Sequence, residues 1–388
     1  MTIRRRPGPR HLRQVGLAIL AAAVLWVVAV TAASPSARSA ARAIGEESGL
    51  ALELLRSQLG DVEEELPPAV MLAIAQSPLL LSNRQEVLQL RRSQETDDPS
   101  PAPDRQPGET VPIPEEPTEP AVPLVFAENG VPARTLVPTS AEGYVVWRDV
   151  YITNTSDRGF DASLFDGSFA AALPEEPGPQ VLIVHTHGSE AYTMPRGQEY
   201  VPSGDCRTTD CGYNVVRVGA EIKKILEEAG LAVLHDTALH DYPEYSGAYG
   251  RSLASVEDYL EQYPTISFVL DIHRDAVSDG QGNMYKVVSS VAGVNAAQMT
   301  FVIGTDGGGL EHPMWQENLK LAAAVQQALT EDYPTLMRPI TVRNSRYNQH
   351  TTAGSLLVEM GAAGNSLDEA LLSAQLLAKA LVEVIQTK

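Results

Sequence analysis

The sequence predicts an α/β domain from about residue 124 to residue 388, and three observations carry that prediction. Short β-branched and apolar runs of strand length recur along this stretch. Amphipathic segments of helical period separate them. The two kinds alternate, which argues for a mixed, mostly parallel sheet with helices on both faces.

Taken in order, "GYVVWRDVYITN" (143–154) reads as extended and "QVLIVHTH" (180–187) as a buried strand. "NVVRVGAEIKKILEEAG" (214–230) is an amphipathic helix stopped at Gly230. "LAVLHD" (231–236) is a strand, "YGRSLASVEDYLEQYP" (249–264) a helix and "ISFVLDIHRD" (266–275) a strand. "YKVVSSVAG" (285–293) and "MTFVIGTD" (299–306) are two more strands, and a long helix follows in "HPMWQENLKLAAAVQQALTEDYP" (312–334). "ITVRNSRYNQ" (340–349) and "GSLLVEMG" (354–361) are strands or strand edges, and residues 366–388 form the closing helix.

The first 123 residues are of another kind. Residues 1–14 hold five arginines and no acid, a basic cytoplasmic head. Residues 15–33, "VGLAILAAAVLWVVAVTAA", carry neither charge nor proline and are long enough to span a bilayer core. Basic residues before the apolar run put the remainder outside the cytoplasm, as a single-pass membrane protein. A cleaved signal peptide is the other reading, with small residues for cleavage in "SARSAARA". Residues 44–93 carry leucines near helical spacing and read as a helical stalk or a partner-binding segment. Residues 94–123, rich in proline and acid, read as a semi-rigid linker.

The formal net charge of −20 argues against binding nucleic acid. Cys206 and Cys211, in "CRTTDC", suit a small disulfide loop in an oxidising compartment, with two free thiols as the alternative.

In open α/β sheets, functional groups collect beyond the carboxyl ends of strands. Three such ends carry chemistry here: "LIVHTHGSE", "FVLDIHRDA" and "SLLVEMG". Histidine nitrogen and carboxylate oxygen are what catalytic zinc takes, with three protein ligands and one position left for water. His187, Glu190 and His273 make such a set, and Glu359 is the fourth group, off the metal, as general base and acid. The spacing of His187 and Glu190 suits a tight turn and is not a helical HExxH pattern. His185, two residues before His187, is either a ligand itself or a neighbour that steadies the oxyanion. His235, His240 and His312 carry less, although "LHDTALHDYPEY" can line a cleft as well as form a surface loop. Arg346, Tyr347, Asn348 and Gln349 form a polar cluster suited to peptide amides and carboxylates, of which Arg346, Asn348 and Gln349 are the substrate-binding candidates.

Ser189 beside His187 raises a serine hydrolase, but no GxSxG elbow accompanies it. A catalytically degenerate binding or scaffold protein and a zinc peptidase acting on proteins are the other classes to weigh. Binding alone does not call for histidines at the strand ends.

"HTHGSEAY", "HDYPEYSGAYGRS", "DIHRDA", "FVIGTD" and "YNQHTTAGSLLVEMGAAGNS" together resemble the stage II sporulation protein P family. More distantly, the domain is similar to zinc-dependent N-acetylmuramoyl-L-alanine amidases. "IHRDA" around His273 resembles their "IHANA"-like motif, and "VEMGAAGN" resembles their VE-x-G-x-x-x-N, which carries their catalytic glutamate onto Glu359. Their first histidine falls on His187 or, less closely, His185. Their glutamate ligand stands near the start of the next helix, where this chain offers only Glu221, so Glu190 takes that place.

The resemblance implies an amidase-like fold and a peptidoglycan hydrolase. That enzyme cleaves the amide between N-acetylmuramic acid and L-alanine, with peptide cross-links as a second target, during engulfment of the forespore. It implies Zn2+ as cofactor, and the stage II sporulation proteins D and M as partners at the membrane.

Overall fold

The computed structural model of the chain describes residue 124 and residues 126–387. The basic head (1–14), the apolar segment (15–33), the helical segment (44–93) and the linker (94–123) lie outside the described residues. Among the described residues, no helix is long and apolar enough to cross a membrane.

The strands are β1 (Ala133–Arg134), β2 (Val145–Trp147), β3 (Val150–Asn154), β4 (Val181–Val184), β5 (Val233–His235), β6 (Phe268–Asp275), β7 (Lys286–Val291), β8 (Val294–Ala297), β9 (Met299–Gly304), β10 (Ile340–Arg343) and β11 (Gly354–Ala362). The helices are α1 (Val215–Glu228), α2 (Ala248–Gln262), α3 (Trp315–Asp332) and α4 (Leu367–Gln386). Eight strands form one sheet in the order β2-β3-β10-β9-β11-β6-β4-β5, and a small sheet runs β1-β7-β8. In the large sheet only β2–β3 and β9–β11 pair antiparallel, so it is mixed and mostly parallel.

The period of two in the buried strands divides the core. Val181 and Ile183 of β4 face one way, packing with Val218 and Ile222 of α1 in a cluster that also holds the apolar residues of α3 and α4. Leu182 and Val184 face the other way and meet Val256 and Tyr259 of α2, with Val269 of β6. Helices therefore cover both faces, three on one side and α2 on the other.

Helix starts follow local chemistry. The Asn214 side chain accepts from the Val216 amide at the head of α1. Ser366 and Glu369 form a reciprocal capping box on α4. α1 ends just before Gly230, whose φ of +89° is a glycine conformation.

Two differences from the sequence expectation have physical causes. The run "ITVRNSRYNQ" stops being strand at Arg343, because the Gln349 side chain turns back onto β9, accepting from Gly304 N at 2.7 Å and donating to Val302 O at 2.7 Å. The weakly β-prone "VNAA" at 294–297 is a strand nevertheless, held by antiparallel pairing with β7.

The parallel neighbours β11, β6 and β4 fix the site. Glu359 of β11 stands opposite His273 of β6, and Asp271 of β6 stands opposite Val184, the last residue of β4. Three strand ends far apart in sequence thus meet on one edge of the sheet.

Candidate metal centre

The turn after β4 does the first part of the building. Thr186 is tied to Asp271, its amide donating to Oδ1 at 2.9 Å and its hydroxyl to Oδ2 at 2.7 Å. The Glu190 amide then donates to the His187 carbonyl at 3.0 Å and closes a tight turn. Gly188 lets the turn pack closely against the 236–240 loop: a Cβ there would come within 2.8 Å of the end of the Leu239 side chain and 3.2 Å of the Ala238 carbonyl. The outcome is that His187 and Glu190 face the same point as His273.

Ligand atoms of His187, Glu190 and His273 all lie within 4.8 Å of one another. Glu190 stands between the rings, with Oε1 3.7 Å from His187 Nδ1 and Oε2 3.5 Å from His273 Nδ1. Donors about 2.0 Å from a tetrahedral zinc ion lie roughly 3.3 Å apart, so this nitrogen and oxygen set fits a divalent metal with little rearrangement. On the far side of the His273 ring, Nε2 is 2.9 Å from Asp271 Oδ1, the usual place for a carboxylate that orients a ligating imidazole.

Charge is arranged to match. Burial alone would raise the Glu190 carboxyl, but Arg274 beside it, then His273 and His187, hold it well below the usual carboxylate range. Arg274 donates its amide to Glu190 Oε2 at 3.1 Å, and its guanidinium anchors on the carbonyls of Ala191 and Cys206 at 3.0 and 2.9 Å. Arg207 adds a second cation, 3.3 Å from Glu190 Oε1 and 2.5 Å from Asp241. His187 is pushed down to about 4 by burial, against the pull of Glu190, and stays neutral with a free lone pair. His273 is driven the other way: burial opposes its charge, but Asp271 and Glu190 raise it well above the ordinary histidine value.

Glu359 lies beside this cluster and is not one of the trio. Its carboxyl is pushed up to about 8, chiefly by burial and then by the charge of Asp275, with His273 pulling the other way. Its Oε2 is buried without a hydrogen-bond partner. A neutral buried carboxyl next to a metal-binding set is a group that can hold and return a proton near neutral pH.

Aromatic rings wall the cluster. Tyr245 stacks on His187 with centroids 4.6 Å apart and planes at 25°. Tyr249 lies edge-on to His187 at 5.5 Å and parallel to His273 at 6.5 Å, and Tyr347 packs on Tyr249 at 5.8 Å. Arg207 sits over the Tyr245 ring at 4.9 Å.

Not every candidate from the sequence arrives here. His185 turns to the α1 side of the sheet because strand geometry ends at Val184 and its alternation does not reach His187. Its Nδ1 meets the Ile272 carbonyl at 3.1 Å, and its Nε2 meets His235 Nε2 at 2.8 Å. With both ring nitrogens so engaged, it is not free to steady an oxyanion. Gln349 is spent on the β9 backbone. Asn348 donates to the Tyr249 carbonyl at 2.8 Å and to Ser252 Oγ at 3.1 Å, so it anchors α2. Arg346 reaches the Glu311 carbonyl at 3.5 Å and lies beside His312 and His350. Glu221 bonds Arg217 and Gln375 on the α1–α4 side, and His240 pairs with Asp236 at 3.0 Å.

Cys206 and Cys211 are free thiols. Cys206 faces Thr193 and Asp205 while Cys211 faces Asn214, so the expected disulfide is not formed. Reasoning from the sequence passed over Arg207, Tyr245 and Tyr249. The one available signal was the tyrosine spacing in "DYPEYSGAYG".

Comparison with known proteins places the chain in a family. A family model for stage II sporulation protein P matches residues 148–382. Stage II sporulation protein P of Bacillus subtilis (strain 168) is 27% identical over 200 residues, covering 49% of this chain and 47% of that protein. The chain thus aligns with about half the length of that curated relative. Among solved structures, the chain is similar to the N-acetylmuramoyl-L-alanine amidase AmiC2 of Nostoc punctiforme (TM-score 0.31, 16% identity, 55% of this chain and 98% of that one). It is also similar to the catalytic domain of the CD27L endolysin targeting Clostridia difficile (TM-score 0.34, 15% identity, 54% and 98%). With a family match over more than half of its length, across every element that builds the metal centre, the chain belongs to the stage II sporulation protein P family.

Proposed function

We propose that the chain is a metal-dependent peptidoglycan hydrolase that cleaves the amide between N-acetylmuramic acid and L-alanine, with peptide cross-links as a second target. In this reading it works outside the cytoplasmic membrane during engulfment, tethered by residues 15–33, together with the stage II sporulation proteins D and M. The observation that carries it is the buried His187–Glu190–His273 set with the neutral carboxyl of Glu359 alongside, in register with His273.

His187, Glu190 and His273 would hold zinc, and zinc when bound supplies a Lewis acid and a water acidified to near pH 7. The chain's own groups do the rest. Asp271 fixes the His273 ring, while Arg274 and Arg207 fix the Glu190 carboxylate. Beside a bound cation the Glu359 carboxyl would ionise, and as carboxylate it would accept a proton from the attacking water at Oε2 and return it to the leaving amine. Tyr245, stacked on His187, narrows access of bulk water to the cluster.

Purified sacculi test the reading. Digestion should release stem peptides bearing new L-alanine amino termini, detected by mass spectrometry. A chelator should stop the release and added zinc restore it. Intact sacculi with metal-loaded protein would overturn the hydrolase reading in favour of a peptidoglycan-binding role.

A further inference from the structure

Attack on an amide places negative charge on the former carbonyl oxygen, and a donor aimed at that oxygen is worth most in a site shielded from water. His185, the sequence candidate for this task, is committed to Ile272 and His235. Arg207 and Arg274 are both bound to Glu190. Tyr249 is a donor without such a commitment. It stands in the first turn of α2, edge-on to His187 and parallel to His273. Among the described residues no hydrogen bond holds its hydroxyl.

We propose that the Tyr249 hydroxyl is the hydrogen-bond donor that steadies the developing oxyanion as the scissile amide is attacked. The proposal rests on the amidase reading given above. Tyr249 donates a hydrogen bond and loses no proton, so the proton balance of the reaction is unchanged. The Tyr249 backbone is held in place by Asn348, whose amide donates to the Tyr249 carbonyl and to Ser252 Oγ. Asn348, a substrate-binding candidate from the sequence, is on this account a positioning residue for Tyr249.

Tyr249→Phe in the full chain, assayed on soluble muropeptides, tests this. Metal content and KM should stay within about twofold of wild type while kcat falls about 100-fold, as for loss of one oxyanion donor. Asn348→Ala should lower the same parameter, kcat, by a smaller factor, and gives a second route should the Phe variant fold poorly. Retained kcat in Tyr249→Phe, or a loss confined to KM, would overturn the role of Tyr249 and leave the amidase reading intact. Absence of amide hydrolysis in the wild type would overturn both.

Discussion

Glu359 concentrates the chemistry at the scale of single residues. An acid whose folded pKa is raised from 4.5 to about 8 penalises folding when ionised. Its contribution is fully favourable below pH 4.5 and is lost as pH rises through 8. Glutamine lacks that penalty. Glu359→Gln should therefore leave metal bound and abolish turnover, yet stabilise the metal-free protein. The gain should be about 1–3 kcal/mol near pH 8 and close to nothing at pH 4, read by denaturant unfolding. A gain of equal size at both pH values would contradict the buried neutral carboxyl. His273 makes a second prediction: it is protonated in the metal-free cluster, and ligation needs its lone pair. Metal uptake at pH 7 should release about one proton, measured by calorimetry in buffers of different ionisation enthalpy.

At the scale of elements, α1 shows how a local cost is accepted for a contact. Gly219 lies inside a helix, where glycine is worth about 1 kcal/mol less than alanine. A Cβ there would come within 2.6 Å of His185 Nε2 and 2.8 Å of His235 Nε2. Gly219→Ala should thus lower stability, by about 1–3 kcal/mol, where propensity alone predicts a gain. A raised Tm would show that the histidine pair yields freely. The strands and helices were legible because their periods differ: "QVLIVHTH" alternates its partners across two cores, while "NVVRVGAEIKKILEEAG" turns one apolar stripe inward. Where β4 stops was not legible. Whether the strand runs to His187 or ends three residues earlier, at Val184, decides whether His185 and His187 share a face, and the bonds of Thr186 to Asp271 set it.

At the scale of the molecule, the site is a product of sheet order. The trio and Glu359 were legible because polar residues follow apolar runs at three strand ends, and β11, β6 and β4 are neighbours. The tyrosine wall and the Arg207 and Arg274 clamps were not, since they depend on how the loops after β5 and around Cys206 fold over the sheet edge. The same dependence explains why Arg346, Asn348 and Gln349 look like a substrate cluster in sequence but are drawn into separate structural contacts. A cluster held by four elements should also couple metal to global stability: free metal at 1,000 times Kd should add about 4 kcal/mol, seen as a Tm that falls on chelation.

The central claim is that His187, Glu190 and His273 form one metal site. The most direct measurement is metal stoichiometry of the purified wild type beside His273→Ala, after zinc is supplied and excess removed. The account predicts one zinc per chain in the wild type and none in a folded His273→Ala. A well-folded wild type that holds no metal, or a variant that holds as much as the wild type, would contradict it.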